Sequence, residues 1–364
     1  MGLRLLARCG PRSPSPCGGP NSRPTWVTCP HKYLAAGWSP SVGLPQGRVP
    51  PRIPLGLIVN PAARVVRRRF LEADQFWRGC LPEEAVCVTQ SLGELDAAVA
   101  RFRALGVCAI AILGGDGSLH HLVEALLRQY DNGTAPIVLP LAGGTMNGLA
   151  RALATGGAPE RVLKASIAAL GRGVPPTVRS QYLLRVSDLS AGCTRYGFGF
   201  ASGLVFRALQ EYYRAPQPGM IDALRASVLP LRSALFGGAF FDAMNLEVSV
   251  AGAPWLPEHP HTVVASVTDN PLLWFRPFGD PLGDAPVFHL AALAMRPAEL
   301  APRLWSVFRG RCRHPRLRTG PVQEVTIRGE SGYLIDGELY PSAESMNLSV
   351  TVGPQLRFFA SAPS

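Results

Sequence analysis

Three things that the chain has little of remove whole classes of protein from consideration. Only two of its 364 residues are lysine, Lys32 and Lys164, and neither stands in a Gly-Lys-Ser/Thr loop, which excludes a Walker-type phosphate loop. None of the eight cysteines forms a Cys-x-x-Cys pair, so the sequence predicts neither a zinc site nor a disulfide framework. No apolar run approaches the roughly 18 residues that a membrane-spanning helix needs. These absences favour a globular protein of a reducing, cytoplasmic compartment.

Positive charge is concentrated at one end of the chain. The formal net charge is +11, but residues 1–71 hold eleven lysines and arginines and no acid. The remaining 25 basic and 25 acidic residues cancel, so most of the chain is near neutral and nucleic-acid binding is not expected. Residues 1–52 are rich in Pro, Gly, Ser and Arg and show no periodicity, which predicts a disordered basic extension.

A strand, a glycine turn and a helix follow one another around residue 114. The apolar run Val107–Leu113 leads into Gly-Gly-Asp-Gly, and leucine and valine then recur at helical spacing. Such a turn points backbone N–H groups towards an anion at the helix N-terminus, and glycines leave room for a phosphate. The alternative is an ordinary tight turn between a strand and a helix. The candidate phosphate-binding residues are Gly114, Gly115, Asp116, Gly117 and Ser118.

A second turn of the same kind lies about 29 residues further along. The chain again runs from an apolar strand through Gly-Gly-Thr into a helix, which adds Gly143, Gly144, Thr145 and Asn147 to the candidates. In a parallel sheet both turns open at the carboxyl edge, where ligands of α/β proteins bind. Neither turn fits Gly-x-Gly-x-x-Gly, so a dinucleotide site is not expected. For Thr145 and Asn147 the alternative role is helix capping.

The spacing of apolar residues changes near residue 175. Up to that point strands alternate with helices, which predicts a Rossmann-like parallel-sheet domain over residues 53–172. The predicted elements of this domain include a strand over 55–59 and helices near 64–79, 92–104 and 146–154. Beyond it short β-rich runs dominate, which predicts an antiparallel β-sandwich domain over residues 173–361. Helical stretches near 202–213, 220–236 and 298–308 interrupt these runs. The predicted fold class is therefore an α/β domain followed by a β-rich domain.

Four motifs stand in one order along the chain: Asn60-Pro61, Gly-Gly-Asp-Gly at 114–117, Gly-Gly-Thr-Met-Asn-Gly-Leu-Ala at 143–150 and Asp-Gly-Glu at 336–338. Together they resemble the catalytic domain shared by diacylglycerol kinases, sphingosine kinases and bacterial lipid kinases. The resemblance implies a two-domain enzyme that, in its cleft, transfers a phosphoryl group from ATP, with Mg²⁺, to a lipid hydroxyl. Diacylglycerol is the leading acceptor, and phosphatidylglycerol and a sphingoid base are the alternatives.

The resemblance also assigns roles to single residues. Asn60 and Thr89 stand at strand ends on the nucleotide side, where an ordinary Asx turn is the alternative for Asn60. The residues of both glycine turns contact the nucleotide. Asp284 matches a position at which relatives hold magnesium, although Ala285 replaces the usual glycine after it.

Asp336 and Glu338 are the candidates for the catalytic base. On an extended strand alternate residues face the same side, so the two carboxylates would share one environment, and two close acids raise the pKa of one of them. The resemblance assigns this motif to catalysis, with either carboxylate taking the proton of the lipid hydroxyl. From the residues alone, the alternative is an Asp-Gly β-turn with two solvated acids.

A lipid acceptor requires a surface that meets a membrane. The segment Arg303–Arg318 is rich in arginine, contains no acid, and carries Trp305 and Phe308 three residues apart. Basic residues beside aromatic ones suit an anionic membrane surface, and a solvated loop after a helix is the alternative. Outside this segment, His120 and His121 are expected on the surface of the helix after the first glycine turn.

Two other functions fit parts of the sequence. A soluble kinase of the NAD-kinase type shares Gly-Gly-Asp-Gly, but the arginine-rich segment and the motif at 336–338 argue against it. A nucleotide-binding regulatory protein without turnover would use the same turns, and the intact carboxylate pair argues against that. The sequence therefore predicts a cytoplasmic lipid kinase of lipid metabolism that meets the membrane surface transiently.

Overall fold

The computed structural model describes most of the chain after residue 54. The described residues are 55–63, 66–67, 77, 80–131, 133–144, 148, 150, 157–172, 177–214, 246–269, 278, 281–283, 285–342 and 345–360. The predicted extension over residues 1–52 lies outside them. So do all or most of the predicted helices near 64–79, 146–154 and 220–236.

Four parallel strands form the sheet that carries both glycine turns. They are β1 (Leu55–Val59), β2 (Val86–Val88), β3 (Ala109–Gly114) and β4 (Ile137–Ala142), in the order β2-β1-β3-β4. The helices α1 (Leu92–Ala104), α2 (Asp116–Gln129) and α3 (Pro159–Gly171) alternate with them along the chain. β1 is buried throughout, with Leu57 in one apolar cluster and Ile58 in another, as expected of a sheet covered on both faces. The predicted α/β fold is confirmed.

Local chemistry places α1 on this sheet. The Ser91 hydroxyl accepts a hydrogen bond from the backbone N–H of Glu94 (3.2 Å) and so caps the first turn. Further along α1, the fully buried ring of Phe102 lies directly over β1. A Cβ added to Gly56 would come within 2.7 Å of that ring, so glycine lets the helix approach the strand closely.

The same sheet continues beyond β4 into antiparallel strands. β16 (Met346–Phe359) pairs in parallel with β4, and antiparallel with β5 (Val178–Asp188) and β13 (Glu324–Gly329). β6 (Cys193–Gly197), β8 (Glu247–Val250) and β9 (Ala253–Pro254) bring the sheet to ten strands among the described residues. Strands from both sides of the predicted boundary at residue 172 therefore share one sheet, while the boundary itself stays a prediction.

A second sheet is wholly antiparallel and has six strands. They are β7 (Gly199–Gly203), β10 (Thr262–Ser266), β11 (Phe288–Leu293), β12 (Leu317–Val322), β14 (Tyr333–Ile335) and β15 (Glu338–Tyr340). Their order in the sheet is β12-β11-β10-β7-β14-β15. Buried residues of both sheets join in one apolar cluster, in which the rings of Phe198 and Phe358 lie 5.7 Å apart. The predicted β-rich sandwich is confirmed.

Three further α-helices lie among the described residues of the second half of the chain. They are α4 (Leu204–Arg214), α5 (Pro297–Leu300) and α6 (Leu304–Phe308). The predicted helical stretch at 298–308 is present but divided, because a 3₁₀ turn containing Pro302 separates α5 from α6 and proline disrupts a helix interior. Among the described helices, none is long and apolar enough to cross a membrane.

Candidate active site

The ends of neighbouring parallel strands lie side by side and carry the two glycine turns. The backbone N–H of Asn60, just after β1, donates to the carbonyl of Leu113 (3.0 Å). The N–H of Gly143, just after β4, donates to the carbonyl of Gly114 at the end of β3 (2.9 Å). Both turns therefore open at the same edge of the sheet, as the sequence predicts.

Close backbone approach explains why glycine fills these turns. A Cβ on Gly114 would lie 2.5 Å from the Ser118 hydroxyl, and one on Gly143 would lie 2.9 Å from the backbone nitrogen of Gly114. A Cβ on Gly115 would stand 3.4 Å from the Cα of Gly144, across the gap between the turns. A side chain at Gly143 would therefore push the two turns apart, and one at Gly114 would clash with Ser118 of its own turn.

Asn60 links the first strand to the helix that follows the first turn. Its side-chain oxygen accepts from the N–H of Ala62 (2.9 Å), so the predicted alternative of an Asx turn is confirmed. Its side-chain nitrogen also donates to the Ser118 hydroxyl (2.8 Å). The amide thus holds the first turn of α2 against the end of β1.

An open pocket of about 310 Å³ lies at this edge of the sheet. It is lined by Asn60, Ala62, Ala63, Gly115, Gly117, Ser118, His121, Gly144 and Glu338. The first turn of α2 borders it, and the N–H groups of a helix N-terminus attract anions. Glu338 reaches the pocket from the second sheet, since a Cβ on Gly117 would lie 2.5 Å from its Oε1 atom. The pocket therefore combines a helix N-terminus, which favours anions, with a carboxylate.

Other predicted site residues lie around this pocket or outside the described part of the chain. Asp116 borders a smaller cavity of about 10 Å³ behind the first turn. Thr89 is buried at the end of β2, where its N–H donates to the carbonyl of Val59 (2.9 Å), so it stands one strand further out. Three predicted residues lie outside the described residues: Thr145, Asn147 and Asp284.

The motif at 336–338 forms the turn of a tight hairpin between β14 and β15. Asp336 and Gly337 are the two loop residues, and both have positive φ, at 52° and 92°. Two positive φ angles in a two-residue loop are typical of a type I′ turn, for which Asp-Gly is a favoured sequence. The extended geometry expected for this segment is therefore wrong, because Asp336 and Gly337 have the left-handed backbone of a turn. Both carboxylates nevertheless face α2, Asp336 at His120 and Glu338 at Gly117.

Backbone amides hold the Asp336 carboxylate in place. Its Oδ1 accepts from the N–H groups of Phe198 (3.0 Å) and Gly199 (2.8 Å), where β6 gives way to β7. A Cβ on Gly197 would lie 2.5 Å from Oδ2, so glycine is needed for this approach. Of the predicted alternative, the Asp-Gly turn is confirmed, whereas a solvated Asp336 is wrong, because its side chain is 10% exposed.

His120 lies in the interior, and its expected place on the helix surface is wrong. Its side chain is fully buried, with Nδ1 3.1 Å from Oδ2 of Asp336 and Nε2 3.1 Å from the Tyr340 hydroxyl. The helical spacing does carry a signal for this, because His120 lies three residues from both Gly117 and Val123 and so shares their face. The local spacing does not reveal that the hairpin, more than 200 residues further along the chain, covers this face of the helix.

Charge around His120 favours its protonated form. Burial works to lower the pKa of His120, but the hydrogen bond and charge of Asp336, with the charges of Glu124 and Glu338, outweigh it and raise the pKa above its ordinary value. Burial also raises the pKa of Tyr340, whose ring lies under the guanidinium of Arg195 at 4.1 Å. The imidazole therefore sits among acids within a largely closed space.

A group near the pocket has metal-binding residue types. His120, His121 and Glu124 each place one ligand atom within 4.8 Å of the others. Both ring nitrogens of His120 already have partners, and magnesium prefers oxygen ligands. Hydrogen bonds and ion pairs therefore account for the positions of these three side chains.

The arginine-rich segment divides into two parts. Arg316 forms ion pairs with Glu258 (2.8 Å) and Glu299 (2.9 Å), which hold it to the protein. On α6, in contrast, Trp305 is 70% exposed and the guanidinium of Arg309 lies 4.7 Å from its ring. The outward-facing part of the segment is therefore centred on Trp305.

A comparison with protein families adds evidence that is independent of this geometry. The model described as the diacylglycerol kinase catalytic domain matches residues 54–174. This segment belongs to that family. The match covers Asn60, Thr89 and both glycine turns, and it supports a kinase of the diacylglycerol-kinase-like type. The hairpin at 336–338 lies outside the matched segment.

Solved structures show the same fold over most of the chain. A Bacillus anthracis protein assigned provisionally to the diacylglycerol kinases is 14% identical, with a TM-score of 0.60, over 85% of this chain and 98% of that one. A second structure, described as a diacylglycerol kinase of the same organism, is 12% identical, with a TM-score of 0.57, over 84% and 96%. At these identities the similarity is one of fold. No curated protein matches the sequence.

Proposed function

We propose that this kinase transfers the γ-phosphate of ATP, with Mg²⁺, to a hydroxyl group of a membrane lipid. Diacylglycerol is the leading acceptor, and phosphatidylglycerol and a sphingoid base are the alternatives. The observation that carries the proposal is the single pocket in which the glycine turns meet the carboxylate of Glu338. Phosphoryl transfer needs both elements, a cradle for phosphate and a base for the acceptor hydroxyl.

The nucleotide side of the pocket fits a polyphosphate. Gly115 and Gly144 face each other without side chains, so backbone can approach phosphate oxygens closely. Asn60 and Ser118 add polar side chains at the same place, and α2 contributes the positive end of its dipole. The described lining contains no lysine or arginine, so a magnesium ion would supply the charge that offsets the phosphates. Asp284 stays the predicted residue to hold it.

Glu338 is the proposed base, because its carboxylate reaches the pocket. In this proposal Glu338 takes the proton from the lipid hydroxyl while the hydroxyl oxygen attacks the γ-phosphorus. The bond from that phosphorus to the bridging oxygen breaks, and ADP leaves with the electron pair. Asp336 is bound to two amides and to His120, which suits a residue that holds the hairpin.

Transfer of labelled γ-phosphate from Mg·ATP to lipids in mixed micelles tests the proposal. We expect labelled lipid with the wild type and a loss of at least about 100-fold with Glu338→Gln, the usual scale for a missing general base. Asp336→Asn and Asp116→Asn are measured in parallel, with ATP binding and folding checked in each. A larger loss for Asp336→Asn than for Glu338→Gln would transfer the role of base to Asp336.

The same assay distinguishes the rival functions. Chelation of magnesium should abolish transfer, and added Mg²⁺ should restore it. ATP binding without a phosphorylated lipid would point to a soluble acceptor, as for a kinase of the NAD-kinase type. ATP binding without any turnover would point to a regulatory nucleotide-binding protein.

We further propose that α6 brings the kinase to an anionic membrane surface, transiently and from the cytoplasmic side. The support is an exposed tryptophan beside Arg309, with Arg311 and Arg313 following on the surface. Trp305→Ala and Arg309→Ala should each weaken sedimentation with vesicles that contain about one third phosphatidylserine, and salt should weaken it further. Leu189→Ala, which removes another exposed apolar side chain, is the control. Equal sedimentation of all four proteins would contradict this docking surface.

A further inference from the structure

A buried histidine on the helix of the first glycine turn contacts the hairpin that carries Glu338. His120 is the fifth residue of α2, one turn beyond Gly117. Its ring is completely buried although imidazole is polar, and both ring nitrogens meet polar atoms of the hairpin. Buried polar groups that are fully paired fix one arrangement of the elements they join.

The two partners of His120 lie on either side of Glu338 in the chain. Asp336 precedes Glu338 by two residues and binds Nδ1, and Tyr340 follows by two residues and meets Nε2, each at 3.1 Å. Along the same face of α2, Glu338 itself lies against Gly117. One imidazole therefore contacts the hairpin on both sides of the carboxylate that reaches the pocket.

We infer that His120 is a positioning residue, which ties the hairpin of the second sheet to the helix of the phosphate-binding turn and thereby fixes where Glu338 stands in the pocket. Its effect on turnover rests on the proposed function, in which Glu338 is the base. The tie itself does not depend on that function. No atom of His120 needs to touch the substrate.

The chemistry of the contacts sets what can replace the imidazole. The Asp336 carboxylate already accepts two backbone N–H groups, and His120 supplies a third donor through Nδ1–H. The titratable groups around the ring are Asp336, Glu338 and Tyr340 from the hairpin and Glu124 and His121 from its own helix. A replacement with an amide keeps a donor for Asp336, whereas a replacement with a phenyl ring keeps the volume and loses both contacts.

Kinetics of matched variants test this inference. In His120→Phe we expect kcat to fall between about 10- and 100-fold while KM for ATP stays within about twofold, because the base moves and the phosphate turn does not. His120→Gln should recover part of that loss. His259→Phe, the same change at an exposed histidine, should leave kcat and KM unaltered. A limb of the kcat–pH profile that is present in wild type should be absent in His120→Gln.

Hydrogen exchange of the hairpin separates this inference from the proposed function. Amides of residues 333–340 should exchange faster in His120→Phe than in wild type and in His259→Phe. Unchanged exchange in His120→Phe would overturn the inference even if the wild type phosphorylated no lipid. Faster exchange together with an unaltered kcat would also overturn it, because the contacts of His120 would then hold the hairpin without affecting catalysis. Failure of every lipid as acceptor, with faster exchange in the variant, would overturn the proposed function and leave the tie supported.

Discussion

Replacing Gly117 with alanine separates the stability of α2 from the activity of the pocket. Gly117 is the second residue of α2, and a Cβ there would lie 2.5 Å from Oε1 of Glu338. Ordinary van der Waals contact begins at 3.4 Å, so the carboxylate must retreat by about 0.9 Å. Because Oε1 is the end of a flexible side chain, this retreat costs little folding free energy. Alanine is the better helix former by up to about 1 kcal/mol.

The same retreat moves the proposed base away from the acceptor hydroxyl. A misplacement of about 1 Å costs roughly 100-fold in turnover, which corresponds to about 2.7 kcal/mol of activation free energy. We therefore expect Gly117→Ala to lower kcat about 100-fold. The midpoint of urea unfolding should stay the same or rise.

The chain offers a matched control for this substitution. Gly93 is the second residue of α1, and a Cβ there would meet nothing within 4 Å. Gly93→Ala should therefore raise the midpoint of unfolding and leave kcat unchanged. Wild-type kcat in a well-folded Gly117→Ala would refute the reasoning, since the retreat of Glu338 would then have no chemical consequence. A large fall in the stability of Gly117→Ala would refute it as well, because the helix and not the carboxylate would have moved.

Three further substitutions have expected outcomes. The pKa of His120 is raised above its ordinary value of 6.5 in the folded protein. Its contacts therefore stabilise the fold below that pH and lose this contribution as pH rises through the folded pKa. His120→Gln should thus lower the free energy of unfolding more at about pH 5.5 than at about pH 9, and equal losses at the two pH values would contradict this. Gly197→Ala forces a Cβ against Ile335 and Asp336 and should cost about 1–3 kcal/mol in urea unfolding, whereas wild-type stability would show that the hairpin can shift freely. Phe102→Ala empties a fully buried site under α1 and should cost about 3–5 kcal/mol, with kcat per folded molecule unaltered.

Local patterns in the sequence were sufficient to predict the elements that carry the two glycine turns. The apolar run of β1 and the periodicity of α1 predict both elements with the observed bounds. The two glycine turns could be recognised because each follows a strand directly and their roles depend on backbone alone. The observed contact between Gly143 and Gly114 follows from the parallel order of β3 and β4.

Contacts between distant segments could not be predicted in the same way. The Asp-Gly turn at 336–337 is a local feature that the sequence offers as an alternative, but the amides of Phe198 and Gly199 that receive the Asp336 carboxylate lie about 138 residues earlier in the chain. His120 was expected at the surface because its partners Asp336 and Tyr340 lie more than 200 residues further on.

The pairing of β16 with β4 has a consequence for folding during synthesis of the chain. Val138 of β4 meets Phe358 of β16, and about 220 residues separate them in the chain. At roughly 5–20 residues per second, a ribosome needs on the order of 10 to 40 s to deliver the partner of a strand that it has already released. Throughout that interval one edge of the nascent parallel sheet stays unpaired, and unpaired edges recruit other chains. The edge of β4 is therefore expected to be prone to aggregation from the time β4 is made until β16 is made.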